Sequence, residues 1–220
     1  KDSCVVFNLT MEEAEKRGRL PLPVMFIDQE GEWQMTIDYI KKIMYDPRVK
    51  PYWVQCPVKL FNATSHSGDN WLHCWREGDQ WMREKDPISL KENIYGTDRF
   101  KELMSKVIDV EFKGQKTANI GGVRCEESPM RRHGLTVSAK YKYVTWGKAT
   151  GKGHYVFYPI YDWSYTDVWK AIHDNKWEYN KVYDYMYRYR VHPSRMRVSN
   201  LNHETAVSSL YHLQEIEPET

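Results

Sequence analysis

Short apolar segments that alternate with helical segments constrain the fold of this chain more than any other feature. Four segments are strand-like, being mostly apolar and bounded by turn-forming residues, and they lie at 23–28, 52–56, 118–123 and 155–160. Strands that are apolar on both faces are typical of a parallel sheet covered by helices on both sides. The alternation therefore predicts an α/β fold with a buried parallel sheet.

Helical patterns precede and separate these strands. Residues 2–17 carry an apolar stripe, and apolar residues recur at helical spacing across residues 33–44. Ser164 and Asp167 have the spacing of a capping box, which predicts a helix start. Two further helices are predicted at 179–190 and 203–214, so the C-terminal part of the chain is expected to be helical.

The alternation fails between residues 57 and 93, where Gly, Asp, Asn and Trp are frequent. We interpret this stretch as an aromatic-rich insertion or long functional loop within a single domain that spans residues 1–220. Its aromatic rings, including Trp71, Trp75 and Trp81, serve either the protein core or a surface for a partner or for nucleobases. The sequence leaves both interpretations open.

Composition excludes several classes of protein. The 220 residues carry 32 Lys and Arg against 30 Asp and Glu, a net charge of +2, unlike disordered or strongly basic proteins. No apolar run is long enough to cross a membrane, and the four cysteines are too scattered for a disulfide framework. We expect a soluble, cytoplasmic protein that does not associate with membranes.

Residues 121–132 form the most informative motif of the chain. Its two glycines allow a backbone to approach a ligand closely. Its arginines, Arg124, Arg131 and Arg132, carry planar guanidinium groups that suit phosphate or sulfate. The alternative is a surface turn in which arginines and glutamates pair with each other, and the residues alone leave both interpretations open.

Three motifs resemble those of a known superfamily. Lys1-Asp2-Ser3 is similar to the end of the Ser-Gly-Gly-Lys-Asp-Ser loop of ATP pyrophosphatases, and it stands at a helix start, which favours phosphate groups. Residues 122–131 resemble the Arg- and Ser-containing motif of phosphoadenosine phosphosulfate reductases. Residues 158–169 resemble that family's Pro-Leu-x-Asp-Trp segment, and Asp28 occupies the position at which its second strand ends in Asp.

This resemblance implies a fold and a set of site residues. The fold is an open parallel sheet of about five strands of the adenine nucleotide alpha-hydrolase type. The ligand is ATP or phosphoadenosine phosphosulfate together with Mg²⁺, for which Asp2 is the expected protein ligand, and no iron–sulfur cluster is expected. The implied catalytic residues are Lys1, Asp2 and Arg124. The implied nucleotide-binding residues are Ser3, Asp28, Gly122, Glu127, Ser128, Arg131, Arg132 and Asp162.

The sequence departs from the reductase pattern in two places. It begins at the Lys of the first loop, without the Ser-Gly-Gly and the strand before it, so we expect a fragment that lacks its first strand. No cysteine follows Cys125, although reductases attack the sulfate with a cysteine near their carboxyl terminus. Cys125 is either a reactive thiol beside Arg124 or a buried inert one. The closest resemblance is therefore to reductase-like proteins of phages and prophages, of the immunoglobulin-binding-regulator type.

Two other patterns are weaker signals. Residues 147–153 imitate a nucleotide-binding Walker loop, but the glycine spacing is wrong, and we interpret them as a glycine-rich hairpin. Cys56, His66, His73 and Cys74 offer the ligand types of a zinc site. Their spacing matches no familiar zinc finger, so a structural role without metal is the alternative.

Two functional hypotheses follow. In the first, the chain is an enzyme that splits the bond between the α- and β-phosphates of ATP or acts on a sulfonucleotide as a transferase or hydrolase. In the second, it is a nucleotide-sensing regulatory subunit that acts with a DNA-associated partner. Residues 179–190 interleave tyrosines with arginines, which fits either nucleic-acid contact or a helix that packs on the sheet. The sequence does not decide whether the chain is an enzyme.

Overall fold

The chain divides into two compact units, and each unit is built from two separate parts of the sequence. The computed structural model describes residues 1–61, 70–137, 140–151, 153–198, 201, 210–211 and 213–218. The first unit combines residues 1–20 with 112–179, and the second combines residues 21–111 with 180–220. Among the described residues, no helix has both the length and the apolar character that crossing a bilayer requires.

The elements alternate between helix and strand along most of the chain. The helices are α1 (Asp2–Lys16), α2 (Gln34–Met44), α3 (Phe100–Glu111), α4 (Pro129–Thr136), α5 (Tyr165–Asp174), α6 (Val182–Arg188) and α7 (Leu213–Ile216), with a 3-10 turn at Cys125–Glu127. The strands are β1 (Leu22–Ile27), β2 (Val49–Val54), β3 (Val58–Phe61), β4 (Trp71–Cys74), β5 (Thr117–Ile120), β6 (Gly147–Gly151) and β7 (His154–Phe157).

The first unit contains a three-stranded sheet with the order β5-β7-β6. β5 and β7 run parallel, with Asn119 opposite Val156, whereas β6 runs antiparallel to β7. Helices α1 and α5 contact each other. The buried core residues of this unit include Val5, Val6, Ile160, Val168 and Ile172. The apolar stripe predicted for the first helix therefore packs into this core.

The second unit contains two separate two-stranded sheets. β1 and β2 run parallel, with Phe26 opposite Trp53, and β3 and β4 run antiparallel. One hydrophobic cluster includes the fully buried Trp75 and Leu103, and a second includes Trp53. Trp81 packs against the first cluster, so these two tryptophans of the 57–93 stretch serve the core of the unit.

The start of α2 is held by a residue far along the chain. The backbone N–H groups of Gln34 and Met35 donate hydrogen bonds to the two carboxylate oxygens of Glu217 at 2.7 and 2.8 Å. A carboxylate at a helix start satisfies free N–H groups and complements the helix dipole. Glu217 is buried, so this contact fixes the C-terminal part of the second unit onto α2.

The four predicted strands correspond to β1, β2, β5 and β7, and the mixed α/β fold is confirmed. The described strands form sheets of two or three strands, so the expected five-stranded parallel sheet is not shown. One sheet is mixed because the glycine-rich segment 147–151 folds back onto β7 as a hairpin, as its composition predicted. The predicted helix at 179–190 is shorter, and the one at 203–214 falls mostly outside the described residues.

The capping box predicted at the start of α5 is present and can be tested. Ser164 Oγ accepts from the backbone N–H of Asp167 at 3.2 Å, and the Asp167 carboxylate accepts from the N–H of Ser164 at 2.8 Å. We expect Ser164→Ala to lower the free energy of unfolding by about 1 kcal/mol in urea denaturation. Ser105→Ala is the control, because this hydroxyl donates to the carbonyl oxygen of Glu102 within α3 and caps no helix start. Equal losses for both variants would contradict the prediction.

Candidate functional site

The loop that follows β5 lies directly against the first turn of α1. A Cβ atom placed on Gly122 would lie 2.7 Å from the carbonyl carbon of Asp2 and 2.8 Å from the backbone nitrogen of Ser3. Such distances exclude any side chain at position 122, which explains the glycine there. The structure thus brings the predicted residues Lys1, Asp2 and Ser3 together with the start of the 121–132 motif.

Arg124 is buried beneath this junction and is 1% exposed. Its Nε donates to Asp2 Oδ1 at 2.5 Å, and its Nη1 donates to Glu126 Oε2 at 2.6 Å and to the carbonyl oxygen of Trp163 at 3.1 Å. Two of its three nitrogens therefore bind protein oxygens. In this structure the hydrogen bond from Arg124 holds the Asp2 side chain at the start of α1.

The carboxylate of Asp2 is held in its charged form. Burial opposes ionisation, but the positive charges of Lys1 and Arg124 outweigh it and keep the pKa of Asp2 below its ordinary value. Lys1 Nζ lies 3.5 Å from Asp2 Oδ2, and the Lys1 side chain is only 2% exposed. Ser3, in contrast, is exposed. The junction therefore combines a buried ion-pair network with an accessible helix turn.

Glu126 and Ser128 connect the motif to two helices. Glu126 Oε2 accepts from the backbone N–H of Tyr165, the first residue of α5, at 2.6 Å. Ser128 Oγ accepts from the N–H of Arg131 at 3.2 Å and so caps α4. The motif was predicted to bind anions, but no sequence pattern predicted that Glu126 would join it to α5.

The remaining residues of the motif are partly paired with each other. Arg131 forms an ion pair with Glu127, as the surface-turn interpretation predicts, but the Arg131 side chain stays 46% exposed. Arg132 and Asp162 are exposed. Burial raises the pKa of the Cys125 thiol above its ordinary value. The charge of Arg132 lowers this pKa, and the charge of Asp162 raises it. The reactive-thiol interpretation of Cys125 is therefore not supported.

Asp28 belongs to the second unit, where it is 0% exposed. Its Oδ2 accepts from Trp53 Nε1 at 3.0 Å and from Gln55 Nε2 at 2.9 Å. Its Oδ1 accepts from the N–H of Glu30 at 2.9 Å and from Arg83 Nη2 at 2.5 Å. Both oxygens are thus occupied by protein donors, and Asp28 holds β2 and the 57–93 stretch to the end of β1.

Arg83 and Glu32 lie near Asp28, and no sequence pattern predicted a role for either residue. Arg83 lies over the ring of Trp75, 5.3 Å from its centroid, and its Nη1 donates to the carbonyl oxygen of Glu30. Burial and the nearby charge of Asp28 raise the pKa of Glu32 to about 8, although Arg83 lowers it. Glu32 is therefore protonated below this pH.

The described residues do not form a cluster of metal ligands. They contain no group of three or more His, Cys, Asp and Glu side chains placed to hold one. His66 of the considered zinc set lies outside the described residues. Burial raises the pKa of Cys56 to about 11 and that of Cys74 to about 12, so both thiols stay neutral. Asp2 as a Mg²⁺ ligand stays a prediction.

Comparisons with known proteins complement this geometry. A family model described as the phosphoadenosine phosphosulfate reductase domain matches residues 1–189, a range that includes every predicted site residue. The chain is also similar to "Uncharacterized protein YbdN" of Escherichia coli strain K12, with 26% identity over 210 residues. This similarity covers 90% of the chain and 51% of the relative, so the chain spans about half the length of that protein.

The close approach at Gly122 predicts a position-specific loss of stability. We expect Gly122→Ala to lower the free energy of unfolding by about 1–3 kcal/mol, because the added methyl group collides with the backbone of α1. Gly134→Ala is the matched control, since a Cβ there meets nothing within 4 Å. Urea denaturation followed by circular dichroism measures both, and a harmless Gly122→Ala would disprove the steric requirement.

The raised pKa of Glu32 predicts a pH-dependent stability. Between pH 4.5, its ordinary pKa, and about 8, the folded state binds a proton that the unfolded state has released. The free energy of unfolding should therefore fall as pH rises across this interval, by up to a few kcal/mol. Glu32→Gln should remove most of this slope, whereas the exposed control Glu84→Gln should keep it. Denaturation series at pH 5, 6.5 and 8 measure the difference.

Proposed function

Because the chain belongs to the phosphoadenosine phosphosulfate reductase domain family, we propose that it binds an adenine nucleotide in its first unit. The phosphate groups would lie at the junction of α1 with residues 121–131. The finer proposal is that the protein splits the bond between the α- and β-phosphates of ATP. The assignment of individual residues to this site is part of the proposal.

One observation carries this proposal. The backbone of Gly122 lies against Asp2 and Ser3, although the two segments are about 120 positions apart in the sequence. The same two segments carry the motifs that resemble nucleotide-binding loops. A helix start beside a glycine loop presents backbone N–H groups and positive charge to a phosphate, which supports anion binding at this place.

The residues divide into those that would touch the phosphates and those that position them. Ser3 and Arg131 are accessible and would contact the nucleotide directly. Lys1 would contribute its positive charge from beneath. Arg124 is buried and bonded to Asp2, so we assign it a positioning role. The contact of Asp28 with the adenosine stays a prediction that rests on the family resemblance. Within the second unit, the Asp28 carboxylate accepts hydrogen bonds from Trp53 and Arg83.

The proposed chemistry is electrostatic. An acceptor or water attacks the α-phosphorus of ATP, the bond from that phosphorus to the bridging oxygen breaks, and pyrophosphate leaves with the bonding electrons. The proton of the attacking group passes to solvent. Lys1 and Arg131 would stabilise the negative charge that develops on the departing group. Mg²⁺, if bound, would neutralise further phosphate charge and would be held mainly by the nucleotide, since the described residues form no cluster of ligands.

Reduction of a sulfonucleotide is less well supported. That reaction needs a thiolate nucleophile, and burial raises the pKa values of Cys56, Cys74 and Cys125. Cys4 is buried and its thiol donates to the carbonyl oxygen of Glu178. We therefore propose that these cysteines do not serve a reductase mechanism.

Three narrower hypotheses go beyond what the family match supports. They are the phage and prophage subtype, the DNA-associated partner and the cytoplasmic location. The family match and the relative from E. coli do not distinguish subtypes. The sensor hypothesis differs from the enzyme hypothesis in one measurable respect, since a sensor binds the nucleotide without turning it over.

The proposal predicts products and a variant effect. The full-length protein, incubated with ATP labelled in its α-phosphate and with Mg²⁺, should release AMP and pyrophosphate. Arg131→Ala should weaken ATP binding about tenfold in isothermal titration calorimetry, because one charge-assisted hydrogen bond to phosphate is lost. The exposed Arg19→Ala, in the same unit, is the control for loss of one positive charge.

Each outcome has a distinct meaning. Binding of ATP without release of AMP supports the nucleotide site and favours the sensor hypothesis over the enzyme hypothesis. Absence of ATP binding, or equal affinity of Arg131→Ala and the unmodified protein, contradicts the proposed site. Sulfite release from phosphoadenosine phosphosulfate and thioredoxin would overturn the assignment of the cysteines.

A further inference from the structure

One segment of the first unit carries an unbalanced positive charge. Between Glu127 and Asp162 the sequence contains six of the 32 Lys and Arg residues and none of the 30 Asp and Glu residues. The rest of the chain therefore carries a small net negative charge, which the value of +2 for the whole chain conceals. A local excess of one sign attracts a partner of the opposite charge, so this segment suits an anionic partner.

Three lysines of this segment, Lys140, Lys142 and Lys148, form what we call the lysine surface. Lys140 and Lys148 line the same cleft, and Lys142 follows Lys140 by two positions. All three residues are exposed, and none forms an ion pair with the described residues. Lys140 Nζ donates to the carbonyl oxygen of Gly134, which places this ammonium group beside α4 and leaves further donor protons. The three charges are therefore available to a partner.

Charged residues near this surface differ from it because they are already neutralised. In α1, Lys16 forms an ion pair with Glu13. In α4, Arg131 forms an ion pair with Glu127 and belongs to the motif assigned to the nucleotide. The lysine surface therefore includes no residue of the 121–132 motif, and it constitutes a separate feature of the unit.

A tyrosine stands at the tip of the turn that carries Lys142. The N–H of Val144 donates to the carbonyl oxygen of Tyr141 at 2.9 Å, and between them Lys142 and Tyr143 have φ angles of 41° and 68°. Residues other than glycine rarely adopt such left-handed conformations, which are concentrated at binding sites. The ring of Tyr141 packs edge to face against Tyr155, whereas Tyr143 is 99% exposed. The turn thus holds an aromatic ring in solvent beside the lysines.

We propose that the lysine surface binds a single-stranded nucleic acid. The three ammonium groups would contact phosphates along the strand, and the ring of Tyr143 would stack on an unpaired base. An anionic membrane is the less suitable partner, because surface binding generally uses a long amphipathic helix and α4 has only eight residues. The inference does not depend on the proposed binding and cleavage of ATP.

The salt dependence of binding tests the contact with phosphates. In the full-length protein, fluorescence anisotropy measures the affinity for a labelled oligothymidylate of about 16 nucleotides. Three lysine–phosphate contacts predict that the logarithm of the affinity falls against the logarithm of the salt concentration with a slope of about −2. The variant Lys140→Ala/Lys142→Ala/Lys148→Ala should bind at least tenfold more weakly and should lose most of this slope.

A matched variant controls for the loss of charge. Lys16→Ala/Lys113→Ala/Lys170→Ala removes three positive charges from exposed positions of the same unit. Its affinity for the oligothymidylate should stay close to that of the unmodified protein, because these lysines lie outside the lysine surface. Thermal unfolding verifies that both triple variants fold. Equal weakening in both variants, or no weakening in either, would overturn the proposal.

Tyr143 provides a test that is independent of charge. Tyr143→Ala should weaken binding of the oligothymidylate by about fivefold or more, because stacking on one base is lost, whereas Tyr143→Phe should preserve it. Unchanged affinity of Tyr143→Ala would contradict the proposed stacking. Absence of oligothymidylate binding, tighter binding of a duplex of the same length, or tighter binding of vesicles of phosphatidylserine and phosphatidylcholine would overturn the proposal as well.

Arg131→Ala separates this inference from the proposed function. It should weaken ATP binding and leave oligothymidylate binding nearly unchanged, whereas the variant of the lysine surface should do the reverse. If Arg131→Ala abolishes binding of the strand and the lysine variant does not, the strand lies at the nucleotide site and this inference fails. If ATP is not bound but binding of the strand depends on the three lysines, only the proposed function fails.

Discussion

The buried guanidinium group of Arg124 is the interaction on which the first unit depends. It binds Asp2 on α1, Glu126 in the 3-10 turn and the carbonyl oxygen of Trp163 before α5. A buried charge is costly unless it is paired and fully hydrogen-bonded, and here two carboxylates and a carbonyl provide that compensation. Because these partners lie on three different parts of the chain, one side chain sets the relative positions of the segments that form the candidate site.

In the second unit, a buried negative charge connects distant segments as Arg124 does in the first. The carboxylate of Asp28 lies at the end of β1 and accepts hydrogen bonds from Trp53, Gln55, Arg83 and the backbone of Glu30. These donors connect β2 and the long 57–93 stretch to β1. Each unit is thus organised around one buried ion that has partners distant in sequence. The family resemblance assigned both of these residues to the candidate site.

Local patterns predicted the elements, and long-range contacts decided what the site residues do. The apolar stripe of α1, the strand-like segments and the capping box at Ser164 depend on neighbouring residues, so they could be predicted from the sequence. The juxtaposition of Lys1-Asp2-Ser3 with the 121–131 motif was expected from the resemblance to a family. The pairing of Arg124 with Asp2, 122 positions away, could not be predicted, because an arginine suits a carboxylate as well as a phosphate. The roles of Arg83 and Glu217 depend equally on distant partners.

The way in which the chain is divided between the two units affects how the protein is made. Helix α1 is translated more than 150 residues before its core partners Val168 and Ile172. These core partners are therefore absent while the whole of residues 21–111, the first part of the second unit, is synthesised. No single cut in the sequence separates the two units, since residues 1–20 and 112–179 enclose residues 21–111. Isolating the first unit would require a direct fusion of its two parts across the excised segment.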